Sequence, residues 1–270
     1  MNRPNRNALF FSLNTLLRQL LRNNIELPRV ARTACLLLLG GSSVNSMPEA
    51  IETRILTEQH DDGGWVGPDD TMWCLLYLKL IGKFQRIEFQ RGVSYLRSSF
   101  QNRFGWGRSS RDIPRIPVTG RILHFFPELC EPQTFNGLLS LWNKERNSLT
   151  YKAASVLMAC SCSSFPIRES IVLDAWNWLR QQQNPDGGFG PWLNHPAGSD
   201  IYCTAYSLLG LLSCVRTIPF PFDVINAAVD WMARTQLDIG LWGYHQIEDG
   251  AAWGWYALNE VERLGEMKHG

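Results

Sequence analysis

Four aspartates close together in the sequence, Asp61, Asp62, Asp69 and Asp70, are the first candidates for chemistry. Neighbouring carboxylates raise one another's pKa, because two like charges cannot cheaply occupy one site. A carboxylic acid that is kept protonated can act as a general acid. A helix N-terminus has the opposite effect and favours the anion. Asp69 and Asp70 precede an apolar, helix-like segment, so the sequence leaves open whether they carry a proton or cap that helix.

A repeated pattern, Q-x-x-x-G-x-[WF], begins just before these two residues. Full copies begin at Gln59, Gln183 and Gln236, and a shortened copy begins at Gln101. Glycine permits a tight turn where a helix ends, and a glutamine side chain can donate to and accept from unpaired backbone groups there. The aromatic ring can then cover that polar patch. We therefore expect the three glutamines of the full copies to be structural.

Segments rich in small residues and leucine follow each copy of the pattern, and two more occur without it. These segments begin near residues 33, 71, 119, 152, 204 and 251. Intervals of about 33 to 52 residues fit one helical hairpin per repeat, and the intervening segments carry apolar residues at helical spacing. The sequence therefore predicts one all-α domain over residues 1–270, an (α/α)6 toroid or barrel built from about six helical hairpins.

The composition is that of a folded globular protein, with 45% apolar and 19% charged residues in 270. A net charge of +1 gives no reason to expect nucleic acid as a partner. The seven cysteines lack the spacing of a disulfide framework, which indicates buried thiols and a cytoplasmic protein. No apolar run reaches the ~18 residues of a membrane span. The amphipathic segment 9–21 is expected to face the core rather than a membrane surface.

The full copies of the pattern resemble the QW repeats of squalene–hopene cyclases and other class II terpene cyclases. These enzymes share the α/α toroid with protein prenyltransferase β subunits. The segment Gly67-Pro-Asp69-Asp70-Thr71 is similar to the cyclase motif D-x-D-D-T-A, whose middle aspartate donates a proton to an alkene or epoxide. By this resemblance Asp69 is the general acid and Asp70 supports it. Gly67 replaces the first aspartate of the motif, and Asp200 aligns with that place in a later repeat.

The resemblance implies an isoprenoid cyclase that protonates a linear prenyl substrate and guides the resulting carbocation. Aromatic faces stabilise such cations, by ~1–2 kcal/mol or more in a dry site. Eight aromatic residues lie near the starts of the repeat helices and are the candidates for binding substrate. They are Trp65, Trp73, Trp106, Trp192, Tyr202, Trp253, Trp255 and Tyr256. For each of them taken singly, packing between repeats is a better explanation than substrate binding.

The chemistry implied by the resemblance requires no metal cofactor, and Mg²⁺ would assist only if the substrate carries a diphosphate. Class II cyclases normally combine two toroids with the cavity between them. The expected partners are therefore a linear isoprenoid substrate and either a second copy of the chain, as a homodimer, or another subunit of toroid fold. Peripheral contact with a membrane is a further expectation for a protein that takes such a substrate.

Two alternatives use the same fold in other ways. A non-catalytic toroid would bind an isoprenoid or a partner protein, with Asp69 and Asp70 as helix caps. An enzyme similar to the zinc-dependent protein prenyltransferases would need a metal site. Here Cys203 stands where that family has its histidine ligand, so zinc would require His195, Cys203 and His245 to converge.

A third alternative is a glycosidase on the same toroid. This chemistry needs two carboxyl groups on opposite sides of a cavity, ~5–9 Å apart. The acidic residues at comparable positions of the repeats are Asp69, Asp200, Glu248 and Asp249. The sequence contains no phosphate-binding loop, dinucleotide fingerprint or G-x-S-x-G nucleophile motif.

Overall fold

The computed structural model describes residues 3–100, 105–109, 111–162, 169–214, 218 and 222–266. Within these ranges the chain forms twelve α-helices and no β-strand, so the predicted all-α class is confirmed. In chain order the helices are α1 (Arg6–Arg22), α2 (Leu27–Leu39), α3 (Glu49–Thr57), α4 (Pro68–Leu80), α5 (Ile87–Ser98), α6 (Ile116–Phe125), α7 (Pro132–Glu145), α8 (Thr150–Cys162), α9 (Glu169–Gln181), α10 (Ile201–Ser213), α11 (Phe222–Thr235) and α12 (Ile247–Glu266).

The even-numbered helices form a closed inner ring. Helix α2 packs against α4, and the contacts continue through α6, α8, α10 and α12, which packs against α2 again. The odd-numbered helices lie outside and contact this ring. The six predicted repeat positions, near 33, 71, 119, 152, 204 and 251, all fall within the inner helices. The predicted (α/α)6 toroid is therefore confirmed.

The inner and outer helices differ in how much of their surface is buried, in line with the distribution of apolar residues in their sequences. Helix α10 is apolar on all sides and is buried along almost its whole length. Helix α1 instead buries one stripe, Leu9, Leu13, Leu17 and Leu20, at the spacing of a single helix face. The segment 9–21 thus faces the core, as predicted. None of the helices in the described ranges is long and apolar enough to cross a bilayer.

The three full copies of the glutamine pattern make one recurrent contact between the layers. In each copy, the glutamine Nε2 donates to the carbonyl of its own motif glycine and to a carbonyl at the start of the next outer helix. The sets are Gln59 with Gly63 and Glu88, Gln183 with Gly187 and Val224, and Gln236 with Gly240 and Asn5. The structural role predicted for these glutamines is therefore observed. Gln101 lies outside the described residues.

The motif glycine is required by its backbone conformation. Gly63, Gly187 and Gly240 have φ of +90°, +89° and +82°, a region that L side chains rarely adopt. A Cβ at Gly63 would also lie 2.7 Å from the carbonyl oxygen of Arg91 in α5. The same turn carries the chain from an outer helix towards the start of the following inner helix, and so positions the residues described next.

Candidate active site

The ring opens at one end into a cavity of about 780 Å³. Residues from the first two turns of every inner helix line it, among them Arg32 of α2, Asp70 of α4, Arg121 of α6, Tyr151 of α8, Tyr202 of α10 and Asp249 of α12. The N-termini of the six inner helices therefore converge on one space. Because a helix N-terminus carries partial positive charge, this end of the ring favours negatively charged groups.

A tight turn directs Asp69 and Asp70 into this cavity. Gly67 N donates to Trp65 O at 2.6 Å around Val66, whose φ of +55° is strained for a β-branched residue. The hydroxyl of Thr71 accepts from Trp65 N at 2.9 Å and so fixes the turn to the helix. Comparable hydroxyl contacts join Thr119 to Trp106 and Thr204 to Phe189 in other repeats.

Helix α4 begins at Pro68, with Gly67 in the N-cap position and no side-chain hydrogen bond at the cap. Neither Asp69 nor Asp70 therefore caps this helix, which removes the structural role that the capping alternative gave them. Asp61 and Asp62 are exposed and lie outside the cavity. Asp62 accepts from Gly64 N within its own turn.

Asp69 forms an ion pair with the buried Arg121. Nη2 of Arg121 donates to both of its carboxylate oxygens, at 2.8 and 2.9 Å. Arg121 comes from the next inner helix, α6, and is itself buried. A guanidinium in this position stabilises the carboxylate form of its partner. Asp69 therefore lies at the cavity wall as the partner of the Arg121 guanidinium.

Asp70, the next residue, has a different environment. It lines the same cavity, and none of the described residues forms a hydrogen bond with its side chain. Burial and the neighbouring Asp69 carboxylate raise the pKa of Asp70 to about 7, although Arg32 and Arg121 act in the opposite direction. With this pKa, Asp70 carries its proton in about half of the molecules at neutral pH.

A third carboxyl group, Asp249, reaches the cavity from the first turn of α12. Nε of Arg32 lies 2.9 Å from its Oδ1, without the alignment of a hydrogen bond, since both atoms lack a hydrogen-bond partner. Nη2 of Arg32 donates to Gln246 at 3.1 Å. Burial raises the pKa of Asp249, and Arg32 is the main group that opposes this. The adjacent Glu248 is buried and pairs with Arg29 instead.

The structure explains the glycine in the first place of the acidic motif. A Cβ at Gly67 would lie 2.2 Å from the backbone carbonyl oxygen of Arg108, so the loop before α6 occupies the space an aspartate would need. Asp200, the acid that aligns with this place in a later repeat, accepts from Cys203 N at 2.8 Å and caps α10. It does not line the cavity.

An aromatic wall stands beside the carboxyl groups. Trp73, Tyr202 and Trp253, three of the eight aromatic candidates, line the cavity. The ring centroids of Trp73 and Trp253 are 5.8 Å apart in an edge-to-face arrangement. Tyr244, which the sequence did not single out, stacks on Tyr202 at 5.9 Å and extends the wall. Asp70 and this wall therefore share one space.

The other five aromatic candidates lie elsewhere. Trp65 and Trp106 are buried and donate from their indole nitrogens to Ile55 O and Leu96 O, so they fasten the repeats. Trp192 is 43% exposed in a surface loop. Trp255 donates to Leu37 O at 3.1 Å, outside the cavity. Tyr256 faces a smaller pocket at the opposite end of the ring.

Two arginines, Arg32 and Arg121, were missed in the sequence, although a signal existed for the second. Arg121 is a charged residue inside the apolar segment Ile116–Phe125, and a charge buried there requires a partner of opposite charge. The zinc site that the prenyltransferase-like alternative would require, with His195, Cys203 and His245 together, is not assembled. Among the described residues, no three histidine, cysteine, aspartate or glutamate side chains come together in a way that could hold a metal ion.

Comparisons with known proteins agree with this architecture. No family model matches the chain. An alignment over 80 residues, which covers 26% of the chain, shows 35% identity to protostadienol synthase A from Arthroderma gypseum and covers 10% of that protein. The matched segment thus spans about a tenth of that protein.

Solved structures match over a longer range. A variant of the type II terpene cyclase MstE from Scytonema, in complex with its substrate geranylgeranyl dihydroxybenzoate, superposes with a TM-score of 0.71 at 14% identity. The match covers 87% of each chain. The ent-copalyl diphosphate synthase from Streptomyces platensis superposes with a TM-score of 0.62 at 18% identity, over 86% of this chain and 50% of that one. The chain therefore has the helical toroid fold of type II terpene cyclases.

Proposed function

We propose that the chain is an isoprenoid cyclase of the class II type, which starts cyclisation by protonating a linear prenyl substrate. One observation carries the proposal: a carboxyl group with a pKa near 7, Asp70, shares a cavity with an aromatic wall. The likeness to terpene cyclases supplies the substrate class, a chain of isoprene units. The pKa lies close to the range in which a general acid is most effective at neutral pH.

The proposed first step transfers the Asp70 proton to a carbon of an alkene. The π electrons form the new C–H bond, the other alkene carbon becomes a cation, and Asp70 becomes a carboxylate. Arg32 and Arg121 act on the charge of this carboxylate and stabilise it. The final cation loses a proton to water, its C–H electrons form the new C=C bond, and Asp70 regains a proton from solvent, so the cyclised product is an isomer of the substrate.

The neighbouring Asp69 has a supporting role in this proposal. The sequence motif predicts Asp69 as the proton donor, with Asp70 in support. The ion pair with Arg121 engages both carboxylate oxygens of Asp69, whereas the Asp70 side chain has no such partner among the described residues, which supports the reverse assignment. Asp69 would neutralise Arg121 and, as a neighbouring negative charge, favour the protonated form of Asp70.

The aromatic wall would stabilise the cations that follow. Trp73, Tyr202 and Trp253 present π systems to the cavity, and a cation over such a face gains about 2 kcal/mol or more when water is excluded. Aromatic rings also lack the lone pairs of a strong nucleophile, so they stabilise the cation without trapping it. No residue in this step requires a metal ion, and Mg²⁺ would serve only a substrate that carries a diphosphate.

The experiment is incubation of the purified protein with farnesyl diphosphate, geranylgeranyl diphosphate, squalene and geranylgeranyl dihydroxybenzoate, with and without EDTA. Mass spectrometry identifies the products. We expect a cyclised isomer of at least one substrate from the native protein, no such product from Asp70→Asn, and persistence in EDTA for a substrate without diphosphate. Absence of any product, with retained binding of the substrates, would favour the non-catalytic toroid instead.

A further inference from the structure

We infer that Asp249 is a positioning residue for the proton on Asp70: by pairing with Arg32, it prevents this arginine from pairing with Asp70. The inference rests on the proposed function, in which Asp70 is the proton donor. It assigns a role to a carboxyl group at the far end of the chain, outside the acidic motif.

The first observation is that two aspartate–arginine pairs occupy equivalent places in the ring. Asp69 in the first turn of α4 pairs with Arg121 of α6, and Asp249 in the first turn of α12 pairs with Arg32 of α2. Each pair thus joins an inner helix to the one that follows it around the ring. Each aspartate is also followed four residues later by a tryptophan of the aromatic wall, Trp73 or Trp253.

The second observation is the place of Asp70 between these pairs. Helix α4 packs against α2 on one side and α6 on the other, so the two arginines approach Asp70 from both neighbours. Arg32 and Arg121 both act on the charge of Asp70. Two guanidinium groups without partners would draw Asp70 into an ion pair and ionise it. Each of them already has an aspartate partner.

The charged and titratable groups around Asp70 come from each element packed against α4. From α2 comes Arg32, and from α6 comes Arg121. Helix α5 contributes the phenol of Tyr95. Within α4, Asp69 precedes Asp70 and the Cys74 thiol lies one turn after it. Only the two arginines among these favour the Asp70 anion, so their partners decide how strongly they do so.

The third observation is that the Asp249–Arg32 pair leaves polar atoms of both side chains without hydrogen bonds. Asp249 is 8% exposed, and neither its Oδ1 nor Nε of Arg32 has a hydrogen-bond partner. The two groups are held by charge and by the bond from Arg32 to Gln246. If Asp249 loses its charge, nothing else in this contact neutralises Arg32. Asp70, which lines the same cavity and on whose charge Arg32 already acts, is then a carboxyl group with which it can pair.

The experiment is an infrared titration of the carboxylic acid C=O band across neutral pH. The band of Asp70 is identified by its loss in Asp70→Asn, so the measurement needs no substrate. In Asp249→Asn we expect the midpoint of this band to fall by about one pH unit or more, a tenfold change in the protonation equilibrium. Adding Arg32→Gln to that variant should return the midpoint to the native value or above it.

Two single variants complete the design. Arg32→Gln alone should raise the midpoint, because it removes a cation and leaves Asp249 in place. Glu248→Gln is the matched control: it neutralises the acid next to Asp249, which pairs with Arg29, and should leave the midpoint unchanged. An unshifted midpoint in Asp249→Asn, or an equal shift in Glu248→Gln, would overturn the inference.

The titration separates this inference from the proposed function. If the midpoint moves as expected but no substrate is cyclised, Asp249 controls the proton and the cyclase assignment fails. If a product forms and the midpoint does not move, the cyclase assignment stands and the role of Asp249 is wrong. Where product forms, the high-pH limb of the pH–rate profile should move to lower pH in Asp249→Asn and return with Arg32→Gln.

Discussion

Nη2 of Arg121 donates to both carboxylate oxygens of Asp69, at 2.8 and 2.9 Å, across 52 residues of sequence. This contact divides the tasks of two adjacent aspartates. Asp69 is fixed as the partner of a buried cation, whereas Asp70 meets no hydrogen-bond partner among the described residues. One helix turn thus presents to the same cavity a carboxyl group that is paired with an arginine and one whose pKa is raised to about 7. The predictions below depend on that difference.

Replacement of Asp70 should stabilise the protein at high pH. The folded-state pKa of about 7 lies above the ordinary value of 3.8, so the folded protein binds this proton more tightly than the unfolded chain. Stability is therefore lost as the pH rises from about 4 to about 7. Asparagine has no charge to bury. The free energy of unfolding of Asp70→Asn, minus that of the native protein, should therefore be larger at about pH 8 than at about pH 4. Urea unfolding measures this, and an equal difference at both pH values would contradict it.

Replacement of Asp69 should have the opposite effect. The Arg121 side chain is only 10% exposed, and Asp69→Asn leaves its charge buried without a partner. We expect a loss of about 3 kcal/mol or more in the free energy of unfolding. Adding Arg121→Met removes the orphaned charge and should recover much of that loss. If the two substitutions are instead additive in a double-mutant cycle, the ion pair is not coupled as described.

The rate of cyclisation should fall as the pH rises above neutral. A proton donor must be protonated to act, and the pKa of Asp70 is about 7. Above that pKa, kcat should decline by about tenfold per pH unit as the acid form is depleted. The native pH–rate profile measures this limb directly. A rate that stays constant to about pH 9 would exclude a donor with this pKa.

Gly67 should not accept a side chain. A Cβ there would lie 2.2 Å from the Arg108 carbonyl oxygen. This steric clash could be removed only if the backbone of the loop moved. Gly67→Ala should therefore cost about 1–3 kcal/mol of stability, and Gly67→Asp, which completes the acidic motif, should cost more. Gly243→Ala is the matched control, because no atom lies within 4 Å of its Cβ position. Equal thermal stability of the two alanine variants would contradict the proposed clash.

Gln236 should hold the first helix to the last repeat. It accepts from Asn5 N at 2.6 Å and donates to Gly240 O at 2.8 Å and Asn5 O at 3.3 Å. At about 1 kcal/mol for each hydrogen bond, Gln236→Ala should cost about 2–3 kcal/mol. Hydrogen exchange in α1 should rise accordingly. The exposed Gln133, whose side chain donates to Glu131, gives the control variant, and equal exchange in both would contradict this role.

The architecture could be predicted from the sequence because its signals are local and repeated. The copies beginning at Gln59, Gln183 and Gln236 mark the turns, and the small-residue segments mark the inner helices. Each copy makes the same contacts, so the same pattern recurs in the sequence. Thr71 belongs to this repeated part too, since Thr119 and Thr204 make the same contact elsewhere.

The site was less predictable because its contacts are unique and distant in sequence. The motif places Asp69 and Asp70 at the cavity, but their different environments depend on Arg121 of another repeat. Asp249 is one acid among several at comparable positions, and only the ring closure brings it to Arg32. The prediction that all of these tryptophans bind substrate was not met for a related reason. Trp65 and Trp106 pack at the turns between helices, whereas Trp73 and Trp253 line the cavity. Residue type does not distinguish them.

The most direct test of the central claim is cyclisation in D₂O. If Asp70 exchanges its proton with solvent and then protonates the substrate, the cyclised product should carry one deuterium on carbon and gain one mass unit. Asp70→Asn, with its folded state checked by circular dichroism, should give no such product. A cyclised product without deuterium, or a labelled product formed equally well by Asp70→Asn, would contradict the assignment of Asp70 as the initiating acid.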